Sequence, residues 1–343
     1  WNPATGLSAD ALRDALSDLA RAHPQEPRCR LKPRMIELIL DRARLAVEPA
    51  GLFADRIDHG SLIEQIRGEW QEELEKSALA PLLEENRALR DARVCTGDPD
   101  FGHTCPDWGD LLRRGFPGIL ERLEVLRREK PDRADFYDGA VLVWRAALRW
   151  VGRLRAETER LAGQHPRLRL TAGALRALET GAPATLLEAL QLMLLYYTLQ
   201  YHLDGVVLRS MGGLDALLWP YYRADVESGR VSESDARAYL GYFFLKLRAK
   251  HFGANIPFYL CGVDREGRDQ TNPLSRILLE VYDALDIQDP KIHIRCGAET
   301  DPALLRLALR MIRDGHSSIV FLNSPVVSRA LEGLGEAPED ARD

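Results

Sequence analysis

Four residues in this chain have side chains suited to chemistry and sit in places that suit them for it. Arg295 and Asn323 each close a short apolar run, "KIHIRC" (291–296) and "SSIVFLN" (317–323). A guanidinium offers a carboxylate or phosphate a fixed fork of donors, and an Asn amide both donates and accepts. A third run, "NIPFYLCGV" (255–263), ends on Cys261-Gly262. His103 lies in the Gly- and Pro-rich stretch 95–109, and loop-borne polar residues on a rigid frame often serve ligands. A plainer role is open to each strand-end residue: a structural salt bridge for Arg295, a helix cap for Asn323.

Other chemistries lack support in the spacing. Cys95, His103 and Cys105 fit no standard zinc pattern, so no metal site is expected. A Cys105–His103 nucleophilic pair is disfavoured because Pro106 and Asp107 read as the start of a helix. There is no phosphate-binding glycine loop and no nucleophile elbow.

The elements that must position these residues follow from periodicity. Helices are expected at 8–22 with Ser8 as N-cap, at 34–47, in one or two pieces over 61–93, and at 107–129, 132–163 and 184–203. More follow at 214–228 and 232–251, with Ser232 capping the second. The last 90 or so residues alternate: the three apolar runs are separated by helical segments at 271–285 and 301–315. Such crossovers imply parallel strands buried on both faces, whose carboxyl ends gather the working groups.

The chain has 343 residues, 45% hydrophobic and 29% charged, with net charge −6. Length sets a soft expectation of about two domains. The acidic balance argues against nucleic-acid binding. Five scattered cysteines suggest a reducing, cytoplasmic setting rather than a disulfide framework. No signal peptide is read at the start. The apolar stretch 186–203 carries Glu188, two Gln and a His, and reads as a buried helix rather than a membrane span.

Five blocks in order resemble the glycyl radical enzymes, the pyruvate formate-lyase-like superfamily. They are "GHTCPDWGDLLRRGFPGILERLE", "PATLLEALQLMLLYYTLQ", "LDALLWPYYRADVESGRVSESDARAYLGYFFLKL", "GVDREGRDQTNPLSRILLEV" and the closing "EDARD". The resemblance implies an α/β fold: an N-terminal helical region (1–94), then helices and the first half of a parallel-stranded barrel (95–343). It also implies that the thiyl cysteine and radical glycine lie beyond Asp343, so no catalytic residue is expected within the chain and none of its cysteines takes the thiyl role. No bound cofactor is expected; a separate radical-SAM activating enzyme would install the radical.

The implied activity is lyase chemistry on a small polar or acidic substrate, by elimination, decarboxylation or carbon–carbon cleavage. The resemblance makes His103 and Ser210 substrate contacts and places Arg295 and Asn323 on strands facing the barrel interior. It implies a cytoplasmic homo-oligomer at full length, with no membrane or nucleic-acid partner. The sequence departs from the family pattern at Gly213, Ala216, Lys291 and Ser324. The competing expectation is a non-catalytic barrel half that binds a partner or is completed by another chain, leaving an exposed sheet edge.

Overall fold

The structure, a computed structural model, describes residues 5–58, 80–94, 103–203, 207–208, 210–250, 256–297 and 300–342. Ser8 caps the first helix, α1 (Ala9–Ala22), by accepting the Ala11 amide. The second, α2, spans Arg28–Arg42, so it starts earlier and stops sooner than the expected 34–47. The reason is local. Ala43 turns extended, and Arg44 donates its amide to Leu7. Arg153 then collects the carbonyls of Leu40, Ala43 and Thr5, taking up the helix-end acceptors that have no partner within the helix. The chain continues as β1 (Leu45–Ala46), antiparallel to β2 (Arg56–Ile57).

Of the 61–93 segment, residues 61–79 lie outside the described part; Ala80–Asp91 form α3. The expected loop is cut at its end by β3 (His103–Thr104). Asp107 then caps α4 (Trp108–Glu129), which kinks at Gly115 (φ 62°). A side chain at Gly115 would meet the Gly181 carbonyl oxygen at 2.6 Å, so glycine permits both the turn and the close approach.

The longest helix, α5 (Ala134–Ala162), buries Ala146, Trp150, Val151 and Leu154. α6 (Leu168–Thr180) was not expected. Its signal is present in Leu168, Thr171, Leu175 and Leu178, a buried stripe at helical spacing. α7 (Leu186–Tyr197) is buried nearly all round, as expected of its apolar sequence, and runs on into a π-helical turn at Thr198–Leu203.

Strand β4 (Val207–Leu208) precedes α8 (Leu214–Glu227) and α9 (Glu233–Ala249), the latter capped by Ser232. The expected alternation follows: β5 (Phe258–Cys261), α10 (Pro273–Leu285), β6 (Ile292–Cys296), α11 (Pro302–Arg313), β7 (Ile319–Asn323). The described chain closes with α12 (Ser324–Gly333) and α13 (Pro338–Arg342).

Strands β5, β6 and β7 lie side by side in that order and all run parallel. Two further parallel pairings precede it in the chain. β3 pairs in parallel with β4. The segment after β4 then pairs in parallel with β5: Gly213 lies opposite Tyr259, Tyr259 donates to Gly212, and Met211 donates to Pro257. One face of the wall is packed with side chains: Phe258, Leu260, Ile292 and Ile294 are fully buried. Phe258 stacks on Phe244 of α9, with centroids 5.4 Å apart, and Tyr282 of α10 meets Phe244 edge-on. The core is continuous from Leu12 in α1 to Ile319 in β7.

Candidate functional site

At the carboxyl edge of the wall, Cys261 stands opposite Arg295, and Arg295 opposite Leu322. Cys296 stands opposite Asn323. Side chains alternate between the faces of a strand, so Arg295 belongs with Tyr259, His293 and Val320 on the face turned away from the helices. Asn323 belongs with Cys296 and Phe321 on the helix-packed side. The two strand-end residues therefore do not share a face.

Their contacts agree with that division. Asn323 accepts the Val326 amide at 3.3 Å and caps α12, as the plainer reading held. Beside it, Cys296, Gly297, Phe321, Leu322 and Pro325 line an open hollow of about 380 Å³. The Arg295 guanidinium donates through Nη2 to the carbonyl of Arg342. It lies so close to Gly262 (φ 87°) that a side chain there would meet Nε at 2.8 Å. Arg342 in turn reaches the Arg265 carbonyl, and Arg265 pairs with Asp340. The short α13, which carries the first four residues of the "EDARD" motif, is thereby tied to the ends of β5 and β6.

Ser210 is buried, and its hydroxyl accepts the Gly212 amide at 2.9 Å. Its carbonyl accepts the Trp108 indole N–H at 3.0 Å, joining the start of α4 to the wall. His103 pairs through its backbone with Val207; its side chain lies outside the described part. The wall thus carries Arg295 and Asn323 on its strands and Ser210 just before the segment that pairs with β5, whereas His103 lies on the separate β3–β4 pair.

One residue of this edge was not singled out from sequence. Asp215, in the "GGLD" turn, is fully buried. Its carboxylate accepts the Cys261 amide at 2.8 Å, the Ala216 amide at 2.9 Å and the Ser275 hydroxyl. Burial dominates and pushes its pKa up to about 6 against the pull of these donors. Its one sequence signal was an acid in the first turn of α8, two residues after the Gly212-Gly213 pair. Cys261, at φ 63°, is also buried; desolvation first, then the Asp215 charge, push its thiol up to about 12. A thiol so held stays protonated and unreactive as a nucleophile.

Of the departures, Gly213 pairs with Tyr259, Ala216 donates to Asp215, and Lys291 accepts the Phe258 amide at the start of β6. Ser324 is buried as the first residue of α12. Among the described residues no cluster of His, Cys, Asp and Glu is placed to hold a metal. No described helix is long and apolar enough to cross a membrane.

Known proteins share this arrangement. The family model described as pyruvate formate lyase-like matches residues 48–343. The (2S)-3-sulfopropanediol dehydratase of Klebsiella oxytoca is 26% identical over 71% of this chain and 33% of its own length. The trans-4-hydroxy-L-proline dehydratase of Clostridioides difficile is 26% identical over 38% of this chain and 18% of its own. A glycyl radical enzyme from Archaeoglobus fulgidus superposes over 98% of this chain and 52% of its own, with TM-score 0.77 at 20% identity. A structure describing 1,2-propanediol dehydration in Roseburia inulinivorans superposes over 98% and 50%, with TM-score 0.81 at 17% identity. The chain spans a third or less of the length of these curated relatives and about half of these solved chains. The parallel wall, the helices packed behind it and the match over most of the sequence lead to one conclusion: this chain belongs to the pyruvate formate lyase-like family.

Proposed function

We propose that this chain is the first half of a glycyl radical lyase that eliminates water from a small polyol or hydroxy acid. The observation that carries the reading is the tie between Arg295 and Arg342. It pins the segment resembling the approach to the family's cysteine loop against the carboxyl edge of the wall, where an active site of a parallel architecture is built. The relatives named as dehydratases favour elimination over carbon–carbon cleavage. β7 pairs with β6 and with no other described strand, which accords with a barrel continued by further residues.

In this reading the radical glycine and its cysteine follow Asp343, and a separate radical-SAM enzyme activates the chain. The radical supplies hydrogen-atom abstraction from the substrate. The residues in hand do the rest. Arg295 fixes the edge that the reacting segment leaves from, Ser210 sets the turn beside it, and the helix-free face of β5 and β6 contacts substrate. His103 is a proposed substrate contact. Asn323 is assigned to capping α12, with its amide at the rim. Cys261 fits no radical role, because its thiol is buried and its backbone is committed to Asp215. The assembled protein is proposed to be a cytoplasmic homo-oligomer working without oxygen.

The experiment is turnover. Full-length protein, activated anaerobically, is offered a panel of diols and hydroxy acids, and carbonyl products are measured. Product that depends on the activating enzyme supports the reading. A radical-bearing protein that dehydrates none of them, yet cleaves carbon–carbon bonds or decarboxylates, overturns the elimination assignment.

A further inference from the structure

The run Lys291–Ile292–His293–Ile294–Arg295 alternates basic and aliphatic residues. Ile292 and Ile294 are fully buried on the helix-packed face. Lys291, His293 and Arg295 therefore share the opposite face, all partly buried, with about 7 Å of strand between one and the next. Register places Tyr259 and Val320 on either side of His293. The Tyr259 ring meets the imidazole edge-on, with centroids 5.1 Å apart.

This row has an imbalance that packing does not explain. His293 Nδ1 is buried and has no hydrogen-bond partner among the described residues. A buried polar atom left so costs about 1–3 kcal/mol, and such atoms usually mark a function or a missing partner. Among the described residues no carboxylate compensates it. Burial and the Lys291 ammonium both hold the imidazole pKa below its ordinary value. The other titratable groups that register places on this face are Tyr259 and Arg295, neither of them a carboxylate. Arg295 is engaged with the Arg342 carbonyl but keeps its charge at the end of the row. A positive, partly desolvated surface with an unanswered ring nitrogen is matched by an oxyanion, which accepts charge-assisted hydrogen bonds from both groups.

We propose that Lys291 and His293 together bind an anionic oxygen of the substrate, a carboxylate or sulfonate, with Tyr259 closing one side. This face then selects an acidic substrate over a neutral diol of the same size. His293 donates through Nδ1–H, and Lys291 supplies the charge. The inference rests on the proposed function, which makes this face the wall of the reaction chamber.

The test compares glycerate with glycerol, which differ by a carboxylate in place of a hydroxymethyl group, by calorimetry on unactivated full-length protein. Wild type is expected to bind glycerate at least about tenfold more tightly. Lys291→Met and His293→Asn should each abolish that preference, the loss falling on glycerate, while Lys291→Arg retains it. Melting temperatures identify variants that fail to fold, and imidazole nitrogen resonances in wild type should report glycerate at His293 directly. Equal binding of the two probes, binding of neither, or a preference that survives Lys291→Met overturns the proposal. Glycyl radical formation on activation is measured separately. A radical without an anion preference sinks this inference alone, whereas no radical sinks the functional reading.

Discussion

The carboxylate of Asp215 holds the backbone amide of Cys261 at 2.8 Å, across 46 residues of sequence. The same oxygen accepts the Ser275 hydroxyl, and Ser275 accepts the Asn272 amide at 3.0 Å within the capping box of α10. One buried acid thus sets the end of β5, the left-handed turn at Cys261 and the start of the next helix. A carboxylate that accepts only donors is a clamp on the edge that carries the site.

This clamp has a pH signature. The folded pKa of Asp215, about 6, lies above its ordinary 3.8. The stability associated with the protonated form is therefore full below the ordinary value and is lost as pH rises through about 6. The difference corresponds to about 3 kcal/mol. Comparing unfolding of wild type and Asp215→Asn across this window should show their stability difference changing in that direction by that order. A difference that is flat with pH would mean that Asp215 is ionised throughout.

Gly262→Ala should disturb the Arg295 tie without removing a polar group. The residue sits at φ 87°, and a Cβ would meet Arg295 at 2.8–3.0 Å. A loss of about 1–3 kcal/mol is expected from the backbone alone. Faster hydrogen exchange in α13 than in α6 would show that the tie was loosened. Unchanged exchange in α13 would show that Arg295 does not hold it.

Asn323→Ala should cost about 1 kcal/mol through the lost cap of α12, and Asn323→Ser should restore most of it. In the activated full-length enzyme, both variants should keep the wild-type KM. A raised KM in the serine variant would give the amide a substrate role beyond capping.

Behind the wall, Lys250 is buried against Asp55, with Thr198 accepting from its ammonium at 2.8 Å and Lys246 3.5 Å from the same carboxylate. Desolvation outweighs the Asp55 attraction and lowers the Lys250 pKa. Lys250→Met strands a buried charge and should destabilise by about 3–5 kcal/mol. Adding Asp55→Asn should recover part of that loss. Denaturant unfolding of the single and double variants measures it, and simple additivity would show that the pair is uncoupled.

Much of this was legible in the chain. The three late strands could be read because short β-branched and aromatic runs alternate with capped amphipathic helices. Ser8 and Ser232 announced their helices because cap chemistry is local. The end of α2 was hidden because Arg153, 110 residues away, takes up its carbonyls. The contribution of β3 and β4 was hidden because two-residue strands have no periodicity. The separation of Arg295 from Asn323 needed the register of β6 against β7, which composition does not encode. Asp215 escaped notice because its importance lies in burial and in partners 46 and 60 residues away.

The most direct test of the radical-enzyme account is electron paramagnetic resonance of the full-length protein after anaerobic incubation with its activating enzyme. The account predicts an organic radical signal whose splitting collapses when glycine is deuterated at Cα. A correctly folded full-length protein that forms no such signal with an activating enzyme proven on another substrate would contradict it.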